Sequence, residues 1–197
     1  LVAAPAPLWY VFDRWTASDP GAAFDDALAE VTRFTMPSNA VTVTASYRAL
    51  SSNEKLGEAL TIRGQPLAVS AFSSSGVVAI ASGGVRYDDP VVQMGGPAVG
   101  PGQSVTLSTS SFTGDGVLLF WWHADAEAES DGLRLEVNGL TASPLYSEKR
   151  TNDTDKIWHL YGFGLTNVTE ITWRFTRDDS YAVHQNIVLV DRVTWIP

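Results

Sequence analysis

Apolar and polar residues alternate along much of this chain with a period of two, the spacing of a half-buried strand. In Val41-Thr42-Val43-Thr44-Ala45-Ser46-Tyr47 the odd positions are apolar and the even ones carry hydroxyls. Leu133-Arg134-Leu135-Glu136-Val137 repeats the pattern, and Asn138-Gly139 follows at once. That dipeptide accepts the positive φ of a tight turn, so a hairpin is predicted there. Glu170 to Thr176 alternates again, which predicts Ile171, Trp173 and Phe175 buried and Thr172, Arg174 and Thr176 outside. Two runs are continuously apolar, Val117 to Trp122 and Ile187 to Val190. They predict strands covered on both faces in the middle of a sandwich. Trp121, Trp173 and Trp195 are accordingly assigned to the core.

Turn clusters such as Gly95-Gly96-Pro97, Gly100-Pro101-Gly102 and Gly114-Asp115-Gly116 separate these strands. The pattern predicts an all-β fold, an antiparallel jelly-roll β-sandwich. Only Phe24, Leu28 and Val31 have helical spacing, within Gly21 to Val31, where a turn or two of helix or a loop is expected. Arg48 to Lys55 is polar and unpatterned. A boundary there divides the chain into a small β-rich module, 1–49, and a sandwich, 50–197.

The composition excludes several classes of function. The 197 residues are 45% hydrophobic, enough for a packed core. Thirteen cations face 22 carboxylates, a net charge of −9, which argues against nucleic acid and anionic membrane as partners. Residues 1–49 carry five carboxylates and three cations, so the acidity belongs mainly to the larger domain. Cysteine is absent, which removes disulfides, thiolate catalysis and cysteine zinc sites. No run approaches the roughly 18 apolar residues of a membrane span, so no membrane insertion is predicted. The chain opens at Leu1 without Met or a basic leader, as a mature fragment would.

Two segments resemble known families. Tyr10-Val11-Phe12-Asp13-Arg14-Trp15, followed some twenty residues later by Phe34-Thr35-Met36-Pro37-Ser38-Asn39-Ala40-Val41-Thr42-Val43-Thr44-Ala45, resembles the divergent internalin-type B-repeat of bacterial surface proteins. Pro37 and Asn39 suit the turn, and Val41, Val43 and Ala45 would share a small core with Phe12 and Trp15. The match covers the last two-thirds of such a repeat, so the resemblance implies a truncated module with more protein before it. The family is secreted, often tandem and non-catalytic. The second resemblance is to the jelly-roll, concanavalin-like module of secreted bacterial multidomain proteins. Gly114 to Trp122 looks like its central Leu-x-Phe-Trp-Trp strand, and Ser130 to Gly139 like the hairpin strand after it. Trp158, Trp173 with Asp178, and Val190-Asp191-Arg192-Val193 follow in the expected order. Such sandwiches include carbohydrate-binding modules, lectin-like domains and some polysaccharide-cleaving enzymes, so fold alone does not settle function.

Three constellations carry candidate chemistry. Asp191 closes an aliphatic run, where a carboxylate is costly unless paired or bound to a cation. In similar sugar-binding modules an aspartate of the last strand ligates a structural calcium ion, which takes six to eight oxygen ligands. The resemblance thus implies one calcium ion, with Asp88, Asp89 and Asp131 as further oxygen donors. The competing reading of Asp191 is a hydrogen-bonded strand-end residue. The second constellation is aromatic. Seven Trp and six Tyr are many for this length, and sugar rings stack their C–H faces on flat aromatic side chains. Trp158, His159 and Tyr161, with Tyr181 and His184 from a polar loop, form the candidate ligand-binding set. Trp158 and Leu160 would share one face, His159 and Tyr161 the other, and the competing reading makes Trp158 core. The third is the acidic string Glu127, Glu129 and Asp131, whose alternate members could work as an acid–base pair. Ala124, Ala126 and Ala128 give it no supporting shell, and the histidines lack metal-ligand spacing.

The sequence therefore predicts a non-catalytic carbohydrate-binding module of a secreted or surface bacterial protein. Its partners would be a polysaccharide or cell-surface glycan and other domains of the same larger chain. The alternative is an adhesion or spacer domain with no small-molecule site.

Overall fold

The computed structural model describes residues 1–61, 72–82, 90–126, 131–146, 158–178 and 185–197. The chain divides into two compact units, Leu1–Ser51 and Ser52–Pro197.

In the first unit β1 (Tyr10–Ala17) pairs antiparallel with β4 (Val43–Ala49), and β2 (Ala23–Phe24) with β3 (Phe34–Thr35). Phe12 and Trp15 are buried, Val41, Val43 and Ala45 half-buried, and Thr42 and Thr44 exposed, as the alternation requires. The core is a chain of rings: Phe12–Trp15 at 5.5 Å, Trp15–Phe24 at 6.5 Å and Phe24–Phe34 at 5.1 Å between centroids. The Trp15 indole donates to the Ala29 carbonyl at 3.0 Å. Gly21 to Val31 forms no helix. Leu28 and Val31 are each 67% exposed. The backbone there bonds across strands instead, Asp25 N–H to the Arg33 carbonyl and Ala3 N–H to that of Glu30. Phe24 packs from β2 against Trp15 and Phe34, Leu28 and Val31 meet no surface, and cross-strand pairing satisfies the backbone without a helix.

The second unit opens with α1 (Ser52–Leu60) and continues as β5 (Phe72–Ser75), β6 (Val78–Ser82), β7 (Pro90–Gly95), β8 (Ser104–Thr109), β9 (Gly114–Asp125), β10 (Gly132–Val137), β11 (Leu140–Tyr146), β12 (His159–Val168), β13 (Ile171–Thr176) and β14 (Ile187–Ile196). One sheet runs β11-β10-β13-β8-β5 and the other β12-β9-β14-β7-β6, every ladder antiparallel. The two pack as a sandwich. Ile171, Trp173 and Phe175 of β13 are fully buried, and Trp173 meets Phe120 of the other sheet edge-on at 5.6 Å. α1 lies against β5 of one sheet and β7 and β14 of the other, burying Leu56, Ala59 and Leu60.

Two local devices fix the strand ends. Asn138, at φ 52°, turns the β10–β11 hairpin beside Gly139. Its Oδ1 accepts the N–H groups of Thr169 and Glu170 and the Thr169 hydroxyl, at 2.8, 3.1 and 2.9 Å, while Nδ2 donates to the Asn167 carbonyl at 2.8 Å. One side chain thus ties the hairpin to the β12–β13 turn. In β14 the register slips between Asp191 and Thr194, and Arg192 takes a φ of 49°. This β-bulge moves the strand's face by one residue. Asp191 lies opposite Trp121, whereas Trp195 lies opposite Leu118 and stacks on Phe112 at 5.7 Å.

Candidate functional site

In an antiparallel ladder, residues directly opposite share a face. His159, Tyr161 and Phe163 of β12 oppose Trp122, Phe120 and Leu118 of β9, which are buried in the sandwich. The alternate positions face outward. Leu160 opposes Trp121, Trp121 opposes Asp191, His123 opposes Leu189, and Leu189 opposes Gln93.

The predicted ligand-binding set is therefore split by the pleat. Trp158, just ahead of β12, packs on the outward cluster of Val91, Ile187 and Leu189 and stays half-buried. His123 lies beside it, ring centroids 6.1 Å apart. His159 and Tyr161 lie on the inward face, half-buried at the open edge of the sandwich. Both rings meet Trp122, at 5.6 and 5.9 Å, and Tyr161 lies near-parallel to Phe163 at 5.9 Å. Tyr181 and His184 lie outside the described residues.

Two core assignments are corrected. Trp121 is half-buried on the outward face, and Trp195 is half-buried although it points inward. A continuous apolar run predicts two covered faces, but over β9 only one is closed. Leu118, Phe120 and Trp122 are buried, Leu119 and Trp121 half-buried, and Val117 is 40% exposed. The run Ile187 to Val190 is buried on both faces, as expected.

The outward face thus brings Trp121 and Trp158 together with the imidazole of His123, the amide of Gln93 and the carboxylate of Asp125, all half-buried. Flat rings beside mixed donors and acceptors are the groups that sugar recognition uses. The apolar run hid Trp121. The register of β9 against β14 is what sets it beside polar neighbours.

The aspartates predicted to hold calcium do not assemble among the described residues. Asp191 and Asp131 are each 1% exposed, but Asp191 lies on β14 and Asp131 just before β10, in different sheets. Asp131 Oδ1 accepts the Asp178 N–H at 2.8 Å, a structural hydrogen bond. Asp88 and Asp89 lie outside the described residues, as do Glu127 and Glu129 of the acidic string. No group of three or more His, Asp or Glu among the described residues could hold a metal ion.

The outer face of the other sheet is polar. Arg174 of β13 makes a bidentate pair with Glu136 of β10, at 2.7 and 3.0 Å. The Glu136 hydrogen bond raises the guanidinium above its ordinary value, against a smaller lowering by burial. Hydroxyl pairs Ser104–Thr176 and Ser108–Thr172 continue the cross-strand bonding at 2.9 and 2.8 Å.

No helix among the described residues is long and apolar enough to cross a membrane. No curated protein matches the chain. Among solved structures, the K1 cleaved adhesin domain of Lys-gingipain from Porphyromonas gingivalis is similar at 16% identity and a TM-score of 0.45, over 68% of this chain and 92% of that one. The secreted serine protease VesC from Vibrio cholerae is similar at 9% identity and 0.47, over 95% of this chain and 44% of that one. The CBM22-1 xylan-binding domain of Paenibacillus barcinonensis Xyn10C is similar at 12% identity and 0.37, over 71% and 89%. Residues 1–51, which span the first compact unit, match the model of the divergent InlB B-repeat domain.

Proposed function

We propose that the sandwich is a non-catalytic glycan-binding module of an extracellular bacterial protein, holding a larger chain close to a polysaccharide. The outward face of β9, β14 and β7 is the binding surface. One observation carries this reading: Trp158 and Trp121 stand half-buried on that face with His123, Gln93 and Asp125 beside them. The rings supply stacking area, and the polar groups reach sugar hydroxyls. Tethering raises local concentration without any chemistry at the site. The net charge of −9 favours neutral polymers over sulfated or uronic ones.

Affinity electrophoresis over a panel of neutral and anionic polysaccharides tests the reading. Retardation by a neutral glycan that is lost in Trp158→Ala and Trp121→Ala supports it. Folded protein that no glycan retards overturns it and leaves an adhesion or spacer role.

A further inference from the structure

Sheet edges are where a β-protein can recruit another chain, because alternate N–H and C=O groups point outward unpaired. In the two five-stranded sheets, four strands stand at the edges: β11, β5, β12 and β6. Three are blunted. β5 and β6 have four and five residues, and β11 contains Pro144 and pairs through a bulge. β12 is different. Its ladder to β9 is regular from His159 to Leu165, with a register shift only between Leu165 and Val168, and its ten residues, His-Leu-Tyr-Gly-Phe-Gly-Leu-Thr-Asn-Val, include no Asp, Glu, Lys, Arg or Pro. In a chain of net charge −9, this edge carries none of the repulsion that keeps copies apart.

The strand also fits itself. We propose that β12 pairs antiparallel with β12 of a second copy of this chain, about a twofold axis through Gly162. The axis is perpendicular to the sheet, so the core-facing sides of both copies stay on the same side and opposed residues share a face. Tyr161 then opposes Phe163 of the partner on the inward side. Leu160 opposes the partner's Gly164 on the outward side. Leu160 is 54% exposed, and a Cβ built on Gly164 meets nothing within 4 Å. An exposed apolar side chain thus falls over a vacant glycine, twice, with an aromatic pair beneath. Shifting the axis to Tyr161 would set Leu160 against Gly162, where a Cβ already meets Leu119 at 2.9 Å. The pairing joins two five-stranded sheets into one continuous sheet and carries the outward face across both copies.

Sedimentation velocity on the full chain over a concentration series tests this, with circular dichroism to verify folding. The expected result is a reversible dimer whose Kd rises at least tenfold in Gly164→Lys and in Leu160→Lys. Leu160 is already mostly exposed, so its substitution keeps the test valid where the glycine variant fails to fold. Leu160→Cys combined with Gly164→Cys should form a covalent dimer on oxidation, in a chain with no other cysteine. A monomer at every concentration overturns the proposal. So does a dimer that both lysine variants leave unchanged, or one in which the cysteine pair does not cross-link.

Discussion

His123 of β9 and Trp158 ahead of β12 bring their rings within 6.1 Å at an angle of 47°, over a floor of Val91, Ile187 and Leu189. The floor fixes the indole, and the imidazole supplies a polar neighbour at its rim. Trp158→Ala should therefore weaken glycan retention at least fivefold, roughly 1 kcal/mol of lost stacking. It should also destabilise the fold by about 1–3 kcal/mol, less than truncating a fully buried Trp. Tyr161→Phe, on the opposite side of the pleat, should leave retention unchanged. Affinity electrophoresis beside urea unfolding separates the two effects.

Asn138 holds two turns with one amide. Asn138→Ala should cost about 2–3 kcal/mol, from the lost hydrogen bonds and a residue forced to positive φ. Asn138→Gly keeps the backbone favourable and should cost less, so the difference in urea midpoints isolates the φ contribution. Equal losses in the two variants would contradict the strain argument.

Gly95 sits at φ 92°, and a Cβ there would run into the Asn186 carbonyl and reach within 2.9 Å of the Phe175 ring. Gly95→Ala should destabilise the sandwich by about 3 kcal/mol or more, through backbone strain and overpacking at once. Thermal unfolding checks this. A shift below about 2 °C would show that the β7–β14 junction yields more readily than its geometry implies.

The Arg174–Glu136 pair gives a pH expectation. The hydrogen bond to Glu136 holds the folded guanidinium above its ordinary value. Its stabilising effect is complete below the unfolded value and is lost only as pH rises through the still higher folded value. Nothing at Arg174 titrates between pH 6 and 9. Arg174→Lys keeps a charge but loses the fork, and should cost about 0.5–1 kcal/mol, equally at both pH values. A cost that changes across that window in urea titrations would contradict this assignment.

The strands were legible because a one-face-buried strand writes its period directly into the chain. Ile171, Trp173 and Phe175 are buried as alternation requires. Trp121 was not legible. An unbroken apolar run carries no phase, and only the pairing with β14 decides which side of β9 meets solvent. α1 was hidden differently. Its span opens with polar residues and reads as a linker, yet Leu56, Ala59 and Leu60 stand at i, i+3 and i+4, and Ser51 with Glu54 has capping-box spacing. The candidate site combined a readable residue, Trp158, with partners that only long-range register could supply. His159 and Tyr161, its neighbours in sequence, face the other way.

The slip at Arg192 gives the terminal strand two phases. Upstream of it, odd-numbered side chains look outward; downstream, Trp195 looks in. Removing that one residue would shorten the chain by very little while turning Asp191 or Trp195 through half a turn, so either a carboxylate would enter the hydrocarbon interior or an indole would leave it. The downstream half of β14 is for this reason intolerant of deletion, and any alignment of related chains must respect a one-residue phase change there.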